Sequence, residues 1–179
     1  MEYQYDEAVA ILRRTPATLA ALLRGLPDAW TRSTEGQDTW SAYDIVGHLL
    51  HGEEANWIAR ARNILDHGET RPFDSFDRTA MFEKYQDASL DQLLTAFAQA
   101  RTNNLAALDE LHITPEQLTL KGTHPALGTV TLSQLLATWV VHDLNHIGQI
   151  VEVMSRQYAD AVGPWRQNLA ILTRPILTE

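Results

Sequence analysis

The sequence predicts an all-α fold, an antiparallel four-helix bundle with an additional short C-terminal helix. Two observations predict it: long segments place apolar residues at helical spacing, and three of these segments begin with a capping box. No segment alternates between apolar and polar residues convincingly enough to indicate a strand. The length of 179 residues fits one domain, which we expect to span residues 1–179.

The first helical segment, Asp6 to Arg24, is interrupted by a proline. We expect a break there, with Thr15 as the N-cap of the second half and Pro16 at its first helical position. Gly25 should end the segment, because glycine readily adopts the left-handed conformation that terminates helices. The polar stretch from 28 to 40 predicts a loop.

Three capping boxes mark the beginnings of the other long helices. Each pairs a serine or threonine with an acid or amide three residues later, so that the two side chains satisfy backbone donors of the first turn. The boxes begin at Ser41, Ser89 and Thr131, and the predicted helices run to about Asp66, Leu111 and Tyr158.

The connections are less regular. Residues 69–88 predict a loop followed by a short helix from about Arg78 to Gln86. The stretch 114–130 is rich in turn formers and predicts a connection with at most one short helix. From Gly163 onward, apolar residues predict a short fifth helix packed on the bundle.

Composition excludes several classes of protein. The net charge is −9 and no run of basic residues exceeds Arg13-Arg14, which makes nucleic acid a poor partner. No apolar run approaches the roughly 18 residues of a membrane span. The absence of a secretory signal and of cysteine makes a cytoplasmic location the expectation.

Two histidines in the third capped helix form a candidate metal-binding pair. His142 and His146 are four residues apart, so both rings project from one face, a geometry that suits zinc, nickel or ferrous iron. The spacing alone is weak evidence in a chain with seven histidines. The same face is flanked by Trp139 and Ile150, which predicts that it faces the bundle interior.

His48 is the best candidate for a third ligand, because bundle sites collect ligands from facing helices. The alternative is a core histidine bonded to a carbonyl or carboxylate. His51 lies close enough to the same face to line the site. His67 and His112 at helix ends, and His124 in a turn, are weaker candidates.

Nearly the whole chain resembles the DinB-like (DinB/YfiT) domain family of bacterial four-helix proteins. The matching residues are Thr15-Pro16, Leu22-Leu23, Leu26-Pro27, Trp40-Ser41, His48-Leu49, Gly128, Thr131-Leu132, Trp139, His142-Asp143-Leu144-Asn145-His146 and Gln149-Ile150. The resemblance implies a bundle of DinB/YfiT type, usually a homodimer, whose three-histidine metal site maps onto His48, His142 and His146. The wider superfamily includes thiol-dependent S-transferases and isomerases, metal-dependent hydrolases and members without a known activity.

A site with three neutral imidazoles leaves a metal coordination position open, which is typical of catalytic sites. We expect a divalent transition metal, zinc or nickel, that activates water or a low-molecular-weight thiol toward a small-molecule substrate. The sequence leaves open a hydrolase, a thiol S-transferase, and a non-catalytic stress or binding protein stabilised by the metal. No catalytic acid or base is identified.

Four further residues near the candidate ligands could contribute to the site, and three of them have a second interpretation. Asp143 produces a His-Asp-x-x-His string similar to that of zinc peptidases, but aspartate is shorter than their glutamate, and a surface or ring-orienting carboxylate is the alternative. Asp44 could orient the His48 ring or simply cap its helix. Gln149 could contact a bound ligand. Gly52 could leave room for a ligand or allow close packing.

Overall fold

A computed structural model describes residues 3–36 and 39–173. The α-helices are α1 (Tyr5–Leu12), α2 (Thr15–Leu23), α3 (Asp28–Thr31), α4 (Ala42–Ala55), α5 (Trp57–His67), α6 (Ala80–Lys84), α7 (Leu90–Glu110) and α8 (Leu132–Arg156). The strands are β1 (Lys121–His124) and β2 (Gly128–Thr131). Short 3-10 helices span Gly68–Thr70, Gln117–Thr119, Gly163–Asn168 and Ala170–Leu172.

The long helices pack as the predicted all-α bundle. Helix α4 contacts α7 and α8, α5 packs on α8, and the N-terminal pair α1 and α2 lies against α8 and α7 respectively. The buried apolar residues form two clusters, one that includes Trp57 and Trp139 and another that includes Ile45, Phe97 and Ile150. The predicted four-helix fold is therefore confirmed.

All three capping boxes are formed with both reciprocal hydrogen bonds. The break at Pro16 is also present, and Gly25 has the predicted positive φ of 79°. The N-cap assignment was wrong: Thr15 is the first helical residue and is buried, while Arg14 precedes it without a side-chain cap bond. The predicted loop after Pro27 contains the single-turn helix α3, and residues 37 and 38 of that loop lie outside the described part.

The second long helix is broken, contrary to the prediction of one continuous helix to Asp66. Helix α4 ends at Ala55 and α5 begins at Trp57, because the dihedral angles of Asn56, φ −117° and ψ −69°, are distorted from those of a regular helix. No proline marks the position, and Gly52 lies within α4, so no residue type at this point predicts the break. The break brings Asn56 to the wall of the cavity described below.

A β-hairpin replaces the predicted irregular connection before α8. Strands β1 and β2 pair antiparallel, with Gly122 opposite Val130. A Cβ atom at Gly122 would lie 2.7 Å from Ile64 and 2.9 Å from Phe73, so only glycine lets the hairpin pack this closely on α5. The backbone N–H of Phe73 donates to Thr123 at 2.9 Å, which holds the 69–79 loop beside the hairpin.

The short helices agree with the prediction less closely. Helix α6 is shorter than expected, and the C-terminal segment forms 3-10 helices rather than an α-helix. Leu172 is buried and anchors this segment, whereas Trp165 is 71% exposed and does not pack on the bundle as expected. Residues 174–179 of the predicted segment lie outside the described range. Within the described residues, no helix combines the length and the apolarity that crossing a membrane requires.

Candidate metal centre

The structure brings the three predicted histidines together at the contact between α4 and α8. The Nε2 atom of His142 lies 3.1 Å from that of His48 and 3.1 Å from that of His146. One ligand atom from each ring lies within 4.8 Å of the other two. His48, His142 and His146 are called the histidine cluster below.

The orientation of the His146 ring is fixed by Gln149, one turn further along α8. The Nδ1–H of His146 donates to the Gln149 Oε1 oxygen. This bond leaves Nε2 unprotonated and turned toward the other two rings, which is how orienting side chains hold metal-binding histidines. Gln149 therefore orients the His146 ring. It is not part of the described cavity wall, and its contact with a bound ligand stays a prediction.

Burial keeps the rings of His48 and His142 neutral. His48 is 3% exposed, and burial, together with the nearby His146 and His51 rings, lowers its pKa to about 3. Burial also lowers the pKa of His142 to about 2, with further contributions from His146 and His48. Neutral imidazoles are the form that binds metal ions.

Aromatic rings surround the cluster and limit its contact with water. Trp40 and Phe76 lie 4.9 and 5.9 Å from the His48 ring, centroid to centroid. Trp57 meets the His142 ring edge-on at 5.1 Å. Apolar surroundings of this kind strengthen the interaction between a bound cation and its ligands.

The geometry of the cluster fits a divalent metal ion. Metal–nitrogen bonds of about 2.0 to 2.1 Å in a tetrahedral arrangement separate two ligand nitrogens by about 3.3 Å. This is close to the 3.1 Å that separates the Nε2 atom of His142 from that of His48 and from that of His146. Three neutral rings cannot satisfy one another, because His142 Nε2 can share a single proton with only one of its two neighbours. The buried Nδ1 of His142 has no hydrogen-bond partner among the described residues. A cation bound by all three Nε2 atoms explains why they converge.

A cavity of about 380 Å³ opens directly beside the histidine cluster. Its volume lies within the range of small-molecule sites. Its wall is formed by all three cluster histidines and by residues of α5, the 69–79 loop, the hairpin and α8, namely Asn56, Trp57, Arg60, Phe73, Phe76, Arg78, His124, Leu127, Val130, Gln134, Leu135, Thr138 and Asn145. A small molecule in this cavity can therefore reach the cluster.

Asp143 belongs to a buried ionic network instead of the cavity. Its carboxylate accepts two hydrogen bonds from Arg101, at 2.6 and 2.9 Å, and Arg101 also donates to Glu53 at 2.9 Å. All three side chains are at most 1% exposed. Asp143 is thus neither a surface carboxylate nor a base beside the cluster. Glu53, Arg101 and Asp143 are called the ionic network below.

Further hydrogen bonds connect the ionic network to its surroundings. Arg101 donates to the Leu12 carbonyl at 2.7 Å, and the indole N–H of Trp139 donates to Glu53 at 2.9 Å. Burial raises the pKa of the Glu53 carboxyl, while the Arg101 guanidinium opposes that shift. The Trp139 ring stacks on Trp57, the ring that meets His142, so the network lies directly behind the cluster.

The other singled-out residues have structural roles. Asp44 accepts from the backbone and hydroxyl of Ser41, as the cap interpretation predicts. A Cβ atom placed at Gly52 would lie 3.4 Å from the Trp57 indole nitrogen, which favours close packing over ligand entry. His51 stacks on Phe76 at 4.8 Å and donates to the Asp77 carbonyl, and it is not part of the cavity wall.

Sequence reasoning missed several residues of the cavity wall. Arg60 follows Asn56 by one helical turn on α5, and that spacing was the only available signal. Among the histidines set aside, His124 of the hairpin lines the cavity, whereas His67 and His112 do not. Phe73 and Phe76 come from a loop with no regular pattern, so no sequence signal places them beside the cluster.

Fold and site together define a helix-bundle protein with a buried three-histidine site suited to a divalent metal. The chain belongs to the DinB superfamily, whose sequence profile matches residues 11–150. The fold is similar to that of YfiT from Bacillus subtilis, with a TM-score of 0.72, 22% sequence identity, and coverage of 84% of this chain and 86% of that chain. YfiT is described as a probable metal-dependent hydrolase with an unusual four-helix bundle topology. No curated protein matches the chain significantly.

Proposed function

We propose that the protein is a metal-dependent enzyme in which His48, His142 and His146 hold one divalent transition metal ion, zinc or nickel. The observation that carries the proposal is the convergence of three histidine Nε2 atoms at the wall of a cavity of substrate size. An ion at this position supplies a Lewis acid that lowers the pKa of a coordinated water or thiol.

The cavity distinguishes an enzyme from a protein that uses metal only for stability. A structural site is enclosed by protein ligands on all sides, whereas all three histidines here border open volume. Asn145, Thr138 and Gln134 of α8 add polar side chains to the same wall, where they can orient a substrate. A small-molecule substrate therefore fits the site better than a macromolecule does.

Hydrolysis and thiol transfer are both compatible with such an ion, and one feature of the cavity favours the thiol. Among the described residues, no aspartate or glutamate lines the cavity, so no carboxylate is placed to act as the base that assists attack by water. A thiol needs no such base, because coordination to a metal removes its proton outright. The description of YfiT supports the hydrolase alternative.

Turnover by the metal-loaded protein tests the proposal. Protein loaded with zinc or nickel is assayed against a panel of esters and amides, and against electrophiles in the presence of low-molecular-weight thiols. We expect turnover that His142→Ala abolishes and that His67→Ala, at the exposed end of α5, leaves intact. Retention of metal without turnover on either panel would support the non-catalytic alternative.

We also propose a homodimer formed through α8. Val141, Leu144, Gly148 and Val151 follow heptad spacing along this helix, and the three apolar side chains are 63%, 50% and 39% exposed. No atom lies within 4 Å of a Cβ position at Gly148, so a second helix can approach closely there. Sedimentation should show a dimer that Leu144→Arg converts to a monomer, and a monomeric unmodified protein would contradict the proposal.

The cytoplasmic location and the single-domain organisation stay predictions.

A further inference from the structure

The charge of the cavity wall is opposite to that of the protein. The chain has 23 acidic and 14 basic residues, yet the described wall contains Arg60 and Arg78 and no carboxylate. A divalent ion on the histidine cluster would add further positive charge. The cavity therefore attracts negatively charged molecules.

Arg60 is a cation of this wall for which the described residues provide no counter-ion. Its side chain makes no ion pair or hydrogen bond within the described residues, and its guanidinium lies 5.2 Å from the centre of the Phe73 ring. Burial lowers the pKa of Arg60, because the charged form loses hydration that no carboxylate replaces. A half-buried arginine without a partner is typical of a site that binds an anion.

His124 places a hydrogen-bond donor near Arg60. The backbone N–H groups of Ala126 and Leu127 donate to its Nδ1 at 3.1 and 3.2 Å, so the neutral ring carries its proton on Nε2. The Phe73 ring lies 6.1 Å from the His124 ring and 5.2 Å from the Arg60 guanidinium, so both side chains flank the same aromatic ring. Burial and the charge of Arg60 lower the pKa of His124. The hairpin thus adds a donor to the positively charged end of the cavity.

Asn56 adds a polar group that the fold does not use. It precedes the first residue of α5, where asparagine commonly caps a helix, but its side chain makes no cap bond. The residue is 8% exposed, its Oδ1 atom has no hydrogen-bond partner among the described residues, and it lines the cavity. A buried acceptor of this kind is satisfied by an ordered water or by a donor group of a ligand in the cavity.

The rest of this part of the wall is apolar. Phe73, Phe76 and Leu127 border the same cavity as Arg60, and Trp57 connects this surface to the His142 ring. Such side chains bind the apolar body of a ligand, while the few polar groups fix its orientation. The combination indicates a molecule with one negatively charged end and an apolar or aromatic remainder.

We propose that the cavity takes a small organic acid whose carboxylate binds Arg60 and the Nε2–H of His124. Its apolar body packs on Phe73 and Phe76, and a polar group contacts Asn56. The inference rests on the proposed function in one respect: this acid is the substrate that the metal-dependent reaction uses. Arg60 holds the substrate in place and takes no part in bond making.

Calorimetric titration of zinc-loaded protein with 3-phenylpropionate and with its neutral amide tests the inference. We expect the acid to bind at least about tenfold more tightly than the amide, because a charged hydrogen-bonded pair is lost with the amide. Arg60→Gln should lower the affinity for the acid by about 10- to 100-fold and leave zinc content unchanged. Arg62→Gln, an exposed arginine two residues away on α5, is the matched control and should leave both unchanged.

Two further arms separate this inference from the metal proposal. After removal of zinc with a chelator, binding that still depends on Arg60 supports the anion site whether or not the histidine cluster binds metal. Arg60→Lys keeps the charge, and partial recovery of affinity in this variant shows that charge rather than misfolding explains Arg60→Gln. Equal affinities for acid and amide, equal affinities of Arg60→Gln and Arg62→Gln for the acid, or no binding of the acid would overturn the inference.

Discussion

Two polar regions share helices α4 and α8 but satisfy their polar groups in opposite ways. The ionic network pairs the Arg101 cation with two carboxylates and a backbone carbonyl, all hidden from water. In the histidine cluster, three histidine rings point their Nε2 atoms at one another at the edge of a cavity. The charges of the first region are paired within the protein, whereas the second presents its ring nitrogens to a ligand.

The contrast explains how one bundle combines stability with a site. A buried charge without a partner costs several kcal/mol, so every member of the ionic network is held by the others. Neutral imidazoles cost less to bury, and the fold can leave them incomplete. The stacked Trp57 and Trp139 rings join the two regions, so the rigid network supports the rings that face the cavity.

The largest expected effect concerns the ionic network. Arg101→Met leaves two buried carboxylates without their cation and should lower the free energy of unfolding by about 3 to 5 kcal/mol. Urea unfolding in the presence of a chelator measures it. Arg62→Met on the exposed side of α5 is the control, with almost no expected change. Equal stability of the two variants would show that the network is not needed.

The second prediction concerns metal and stability. Because the ion binds only the folded cluster, free zinc at a concentration 100-fold above its Kd should raise the free energy of unfolding by about 2.7 kcal/mol. His146→Ala should remove this gain. Thermal melting with and without zinc measures both, and stabilisation of His146→Ala equal to that of the unmodified protein would place the metal elsewhere.

The third prediction concerns pH in metal-free protein. The pKa of His48 is about 3 in the folded state and near 6.5 when unfolded, so only the unfolded chain gains this proton as the pH falls from 7 to 5. The His48 contribution is complete above pH 6.5 and should decrease by about 2 kcal/mol at pH 5. His48→Asn should therefore show a shallower loss of stability. Parallel pH profiles for the two proteins would contradict this account.

The smallest expected effect concerns Gln149. Gln149→Leu removes the acceptor that fixes the His146 tautomer and should weaken zinc binding by about tenfold, or about 1.4 kcal/mol. Competition with a chromogenic chelator measures the change. Gln149→Glu retains an acceptor and should keep or increase the affinity, whereas identical Kd values for all three proteins would show that the hydrogen bond does not support the site.

The histidine cluster was accessible to sequence reasoning because its ligands lie within regular helices. Capping boxes locate α4 and α8, and the spacing of His142 and His146 places both on one face. Arg101 was not accessible in this way: an arginine within a helix is ordinarily exposed, and only its position one turn from Phe97 indicated the buried face.

The cavity wall was harder to predict than the cluster. It depends on the break at Asn56, which has no proline to mark it, and on a hairpin whose strands are only four residues each. The glycines and the proline of that hairpin indicate turns equally well in an irregular loop. Its position on α5 follows from the contact at Gly122, a tertiary feature that local sequence patterns do not contain.

The most direct test of the central claim is the metal content of protein purified without a metal-binding tag. After dialysis against zinc, elemental analysis should find about one ion per chain in the unmodified protein, and none above background in His48→Ala or His142→Ala. His67→Ala should retain the full amount. No bound metal in the unmodified protein, or undiminished metal in both variants of the cluster, would contradict the account.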